Sequence, residues 1–115
     1  MKKTLTISLA MLGQLIFAQY ETPNNGNVYR IADLDALTEA ISYHPSTNTY
    51  QLTDDLIISA NDTFLADSDF ILSITEGKLI TIAGKININA PKEVLFTSDN
   101  PGTTYFKGIR IEEGA

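Results

Sequence analysis

The sequence predicts an all-β fold in which the chain winds as a parallel β-helix of two to three coils, about 22 residues each, closed at its front by a short α-helix. Three observations carry that expectation. Apolar residues come in short bursts rich in Ile, Leu, Phe and Thr, bounded by Asp, Asn, Gly and Pro, as strands are. The bursts fall on one another when the chain is shifted by about 22 residues. One stretch ahead of them has the spacing of a helix instead. A small antiparallel β-sandwich is the alternative built from the same bursts.

Residues 1–18 concern address rather than fold. Lys2 and Lys3 precede an apolar stretch, Leu5 to Ala18, that is shorter than the ~20 residues a membrane-spanning helix needs. A basic start, a short apolar core and a small residue at its end describe a secretory signal peptide, cleaved after Ala18 to leave Gln19 first. Export through the Sec pathway, to the cell surface or the medium, is the expected fate. The chain has no Cys, so neither a disulfide framework nor a lipid-modified cysteine is available. Processing leaves 97 residues with six basic and fourteen acidic groups, a formal charge of −8. Nucleic acid and anionic membrane surfaces are poor partners for such a chain, because binding to phosphates rests on Lys and Arg.

Residues 19–32, opening "QYETPNNGNVYR", read as a loose polar leader. Residues 33–48 read as a capping helix and turn. Leu34, Leu37 and Ile41 make one helical stripe, Asp33 and Asp35 suit a helix start, and Pro45 forbids continuation. The expected helix covers about 33–42. From residue 49 to 115 every signal is β, with strands expected at Tyr50–Leu52, Leu56–Ser59, Thr63–Ala66, Phe70–Thr75, Leu79–Ile82, Ile86–Ile88, Val94–Ser98 and Gly108–Glu112.

At a shift of 22, Ile58 falls on Ile80, Ala60 on Ile82, Phe64 on Ile86, Ala66 on Ile88, Leu72 on Val94 and Ile74 on Phe96. A shift of 23 carries Ile86 to Ile109 and Ile88 to Ile111. Paired positions two apart share one face of a strand. The expected stack therefore holds interior columns Phe64–Ile86–Ile109 and Ala66–Ile88–Ile111, with Thr81, Asn87 and Thr97 outside. The helix stripe would lie over the first coil and shield its edge. The strand "GIRIE" is followed by no closing helix or polar rung, which predicts that these residues are the front portion of a longer protein.

The stretch from Tyr50 onward resembles a known family. Leu56/Ile58, the Asn61–Thr63 turn, Leu79–Ala90, Val94–Ser98 and Tyr105–Glu112 are similar, over about 65 residues, to the amino-terminal rungs of secreted right-handed parallel β-helix proteins of the pectin-lyase-like superfamily. Members that open this way are often large cell-surface or secreted proteins with a carboxy-terminal sorting domain for type IX secretion. The resemblance implies an exported adhesin-like scaffold whose partners are extracellular glycans or surface proteins. It also admits the front of a secreted polysaccharide lyase or hydrolase whose active site lies in further rungs.

Candidate chemistry is sparse. Nine carboxylates and no basic residue lie between Arg30 and Lys78. Calcium prefers such oxygen ligands, which makes Asp62, Asp67 and Asp69 candidate calcium ligands, with Asp54 and Asp55 nearby in sequence. Solvated corners account for the same acids without any ligand. His44, the single histidine, reads as an exposed turn residue before Pro45. Arg110 beside Glu112 reads as a surface ion pair, and Tyr105 with Phe106 as core or cap packing. Asn61-Asp62-Thr63 reads as a turn. No catalytic triad, phosphate loop or zinc spacing is present, so no catalytic or cofactor-binding residue is assigned.

Overall fold

The computed structural model describes residues 19–102 and 105–112; the signal peptide expected over residues 1–18 lies outside the described residues. Two strands open the chain, β1 (Gln19–Glu21) and β2 (Val28–Tyr29), followed by helix α1 (Ile31–Leu37) and the hairpin of β3 (Ile41–His44) and β4 (Thr49–Leu52). Seven strands follow: β5 (Asp55–Ile58), β6 (Thr63–Ala66), β7 (Phe70–Ile74), β8 (Leu79–Ile82), β9 (Lys85–Ile88), β10 (Val94–Ser98) and β11 (Gly108–Ile111). The eight expected strands are present, each within a residue of its expected bounds.

These strands form three sheets, ordered β1-β5-β8-β11, β10-β7-β4-β3 and β2-β6-β9. Seven of the eight described strand pairs are parallel, and β3 with β4 is the antiparallel one. A small antiparallel sandwich does not have this pairing. From β4 onward each strand pairs with the strand three later, so the chain visits the three sheets in turn and returns to each in register.

Alternation places the apolar residues between the sheets. Leu56, Ile58, Leu72, Ile74 and Ile82 are fully buried, and Phe64, Ala66, Phe70 and Ile80 nearly so. Phe70 packs edge-on against Tyr50 and Phe96 along its own sheet and against Phe64 of the neighbouring sheet, with centroids 6.2–6.3 Å apart. Burying these side chains is the main driving force for a chain of this size, at about 1.5–3 kcal/mol for each large aliphatic.

The register corrects the uniform 22-residue repeat. Phe64 stands on Ile86 and Ala66 on Ile88, a spacing of 22, as expected. Tyr50 stands on Leu72 and Leu52 on Ile74 at 22 as well, whereas from β5 to β8 and from β7 to β10 the spacing is 24: Leu56 meets Ile80, Ile58 meets Ile82, Phe70 meets Val94 and Leu72 meets Phe96. Corner lengths supply the reason. The β5–β6 corner has four residues and the β8–β9 corner two, whereas the β6–β7 corner has three and the β9–β10 corner five. Two residues leave the coil at one corner and two return at the next. An error of two preserves which face a side chain takes, so Ile58, Phe64, Ala66, Leu72, Ile74, Ile80 and Ile82 face inward as expected despite the shifted partners, whereas Ala60 is exposed in the β5–β6 corner and Ile88, expected inside, is 54% exposed.

The columns through Ile109 and Ile111 do not form. Strand β11 pairs with β8, which sets Ile109 on Ile80 and Ile111 on Ile82 at a spacing of 29. The nine-residue connection between β10 and β11, against four between β7 and β8, carries the difference.

The front of the chain also departs from expectation. The leader carries β1 and β2, which pair in parallel with β5 and β6. Helix α1 is seven residues rather than ten and ends at Leu37, with Thr38 already extended. Ile41 belongs to β3, where it is buried opposite Leu52, because hairpin pairing outweighs a weak helical stripe. Of the expected capping stripe, Leu34 is buried, joined by Ile31, while Leu37 is 52% exposed. Asp33 does serve the helix start: its carboxylate accepts the Arg30 N–H at 2.8 Å. Helix α1 packs on β2, β3 and β6, at the end of the stack bounded by β1, β2 and β3. Pro45 lies in the β3–β4 connection, which Asn48 completes at φ +53°, a left-handed geometry that Asn tolerates.

Candidate functional site

The strongest polar constellation lies where the first turn meets the β5–β6 corner. Asn24 and Gly26 both have positive φ, +64° and +81°, within the run Pro23-Asn24-Asn25-Gly26. That geometry turns successive backbone N–H groups toward one side, making a nest for an anion. The anion is Asp62, which is only 1% exposed. Its Oδ2 accepts the Asn24 N–H at 2.8 Å, and its Oδ1 accepts those of Asn25 and Gly26 at 2.9 and 2.8 Å.

Two more buried polar residues complete the cluster. The Ser59 N–H donates to Thr22 Oγ1 at 2.8 Å, and the Ser59 hydroxyl donates to the Thr22 carbonyl. Asn24 Oδ1 accepts the Asn61 N–H at 2.9 Å. Burial works against the charge on Asp62, but hydrogen bonds from the Thr22 hydroxyl and from the Asn24, Gly26 and Asn25 amides outweigh it, holding the carboxyl below its usual value. The network is fully satisfied, which is the condition for a buried polar cluster to stabilise a fold.

Gly84 closes the corner from the other side. A Cβ there would sit 2.0 Å from the Asp62 carbonyl oxygen and 2.3 Å from that of Ser59. The β8–β9 corner therefore lies flush on the β5–β6 corner, with the Gly84 N–H donating to Ile58 O at 3.1 Å and the Lys85 N–H to Asp62 O at 3.0 Å. Asp62 thus joins three successive layers, through its side chain on one side and its carbonyl on the other.

The other calcium candidates have separate partners. Asp67 and Asp69 are the first and last residues of the β6–β7 corner and bond to opposite sides of it. Asp67 takes a two-pronged ion pair from Arg30, with Nε to Oδ1 at 2.9 Å and a terminal nitrogen to Oδ2 at 2.9 Å. That bonding holds the Asp67 carboxyl below, and the Arg30 guanidinium above, its ordinary value. Asp69 Oδ1 accepts the Lys92 and Glu93 N–H groups at 2.8 and 3.0 Å, which lowers its pKa. Asp55 Oδ1 accepts the Leu79 N–H at 2.9 Å, on the next strand of its sheet. Among the described residues, no group of three His, Cys, Asp or Glu side chains is arranged to hold a metal ion.

The remaining candidates are dispersed. His44 ends β3 and is exposed, its Nε2 3.3 Å from Ser42 Oγ. Arg110 pairs with Glu112 at 2.9 Å on the surface, as the sequence suggested. Phe106 packs on the core, but Tyr105 is 71% exposed, against the expected packing. Asn61 and Asp62 occupy the expected turn, with Thr63 beginning β6.

Sequence reasoning singled out Asp62 as a calcium candidate and missed the turn whose amides its carboxylate accepts. The Asn-Asn-Gly run was a usable signal for positive φ and hence for a nest. Its occupant, 36–38 residues away, was not legible. None of the described residues forms a helix long and apolar enough to cross a membrane. Comparison of the chain with protein-family models, with curated proteins and with solved structures finds no match.

Proposed function

We propose that the three sheets are the walls of a right-handed parallel β-helix that serves as an exported, non-catalytic scaffold at the cell surface or in the medium. The strand order supports the coil, since each strand recurs beside its predecessor after one circuit of the three sheets. Right-handedness follows from the strong bias of parallel crossover connections. The observation that carries the scaffold reading is the use made of the acids. Asp55, Asp62 and Asp69, the side chains a cation or sugar site would draw on, direct carboxylate oxygens to backbone N–H groups of neighbouring coils. Their chemistry is holding coils together. The flat outer sheet faces are then the surface offered to extracellular glycans or surface proteins.

The test uses the full chain recovered from an exporting host. Mass spectrometry of its amino terminus is expected to read Gln19, and a chain retained inside with residues 1–18 intact refutes export. The recovered protein is then incubated with a panel of neutral and acidic polysaccharides, following retention on each and the release of new sugar ends. Retention without release agrees with a scaffold. Release of unsaturated or reducing ends refutes it in favour of a lyase or hydrolase.

A further inference from the structure

Asn25-Gly26 is the single Asn-Gly step in the chain. Asparagine is among the chemically labile residues, and a following glycine has no side chain to hinder attack on it. The reaction is a ring closure. The Gly26 nitrogen loses its proton to hydroxide, and its lone pair bonds to the Asn25 side-chain carbonyl carbon. The bond to the side-chain nitrogen breaks, and ammonia leaves with a proton from water. A second water opens the resulting succinimide at either carbonyl, giving aspartate or isoaspartate. Residues 23–28 are exposed, so burial does not keep water and hydroxide from this step. Hydrogen bonds hold the reacting atoms instead. The Gly26 N–H donates to Asp62 Oδ1 at 2.8 Å, which engages the proton that must leave and sets a carboxylate beside the nitrogen that would become negative. Asn25 Oδ1 accepts the Tyr29 hydroxyl at 3.0 Å and the Asn27 N–H at 3.3 Å, which fixes the side-chain amide.

We propose that Asn25 is a latent deamidation site gated by Asp62: inert while the first turn is closed on the carboxylate, and converted once that turn opens. Strands β1 and β2 on either side are only three and two residues long, so little strand pairing holds the turn closed apart from this carboxylate. Conversion runs one way. It adds a negative charge to the residue whose own N–H donates to Asp62 at 2.9 Å, and isoaspartate also lengthens the backbone inside the nest. A turn that has reacted no longer closes on Asp62. The observed rate is the rate of the open chain multiplied by the fraction of time the turn is open.

The test holds the full chain and a synthetic peptide of residues 21–30 in mildly alkaline buffer and follows aspartate and isoaspartate at position 25 by mass spectrometry of peptide digests. The folded chain is expected to react about a hundredfold or more slowly than the peptide. Asp62→Asn is expected to raise the rate about tenfold or more, and Tyr29→Phe, which leaves Asp62 in place and frees the other reacting atom, about threefold or more. Phe96→Leu is the control. It weakens core packing on β10, which pairs with β7 and not with the strands around the turn, so the rate is expected to stay that of wild type. A folded wild-type chain that reacts as fast as the peptide overturns the proposal. So do Asp62→Asn and Tyr29→Phe variants no faster than wild type. A Phe96→Leu rate matching that of Asp62→Asn overturns it too, because global unfolding rather than the turn would then be the gate.

Discussion

Removing the Asp62 carboxylate is the sharpest perturbation of the fold. Asp62→Ala leaves the Asn24, Asn25 and Gly26 N–H groups without their acceptor and opens a gap beneath the first turn. Hydrogen bonds to a charged group contribute about 1.5–3 kcal/mol each. Those three amides are only part-buried, so water replaces part of the loss, and a net cost of about 3–4 kcal/mol is expected. That is a large share of the ~5–15 kcal/mol that holds an ordinary domain folded. Asp62→Asn separates charge from shape, because its amide oxygen can still accept the Asn25 and Gly26 N–H groups while its NH2 turns a donor toward the Asn24 N–H. It is expected to cost less than Ala but still about 1–3 kcal/mol, for the lost charge and the one opposed donor. Urea unfolding measures the loss as a lower midpoint at unchanged slope, and hydrogen exchange reads the Asn25 and Gly26 amides directly. An Asn variant as stable as wild type, with both amides still protected, would refute the anion-nest account. The pH dependence has a definite sign. The folded-state pKa of Asp62 lies below its unfolded value of about 3.9, so the stabilisation is complete at neutral pH. It begins to fade as pH drops past about 4 and is gone below the folded pKa.

Other outcomes follow from the same geometry. Gly84→Ala is expected to cost more than about 3 kcal/mol, since its Cβ collides with two backbone carbonyls; Gly77→Ala, at φ +78° in open space, should cost only about 1–2 kcal/mol by thermal or urea unfolding. Leu72→Ala, fully buried, is expected to lose about 2–5 kcal/mol, whereas Leu95→Ala on the outward face should change stability by well under ~1 kcal/mol; equal losses would contradict the assignment of faces. Adding calcium is expected to leave the melting temperature unchanged, because Asp62, Asp67 and Asp69 are engaged by different partners; a shift that saturates with calcium would reveal a site.

Strand positions and facing were legible in the sequence because both are local properties. Leu79-Ile80-Thr81-Ile82 alternates at the strand period, and Gly77 and Gly84 mark its ends, so neither feature needs knowledge of the neighbours. The stacking of Phe64 on Ile86 was legible too, because the short β8–β9 corner within that interval leaves a spacing of 22. Register elsewhere was decided by tertiary structure alone. Corner length sets which residue arrives beside which, and corners are shaped by contacts such as Gly84 against Ser59 and Asp62. The segment after Leu37 shows the same division. Its apolar spacing fits a helix or a strand, and only pairing with Thr49–Leu52 makes it β3. The role of Asp62 required the fold outright: a carboxylate's partners across 36–38 residues are set by how the coils stack, which no local pattern of side chains encodes.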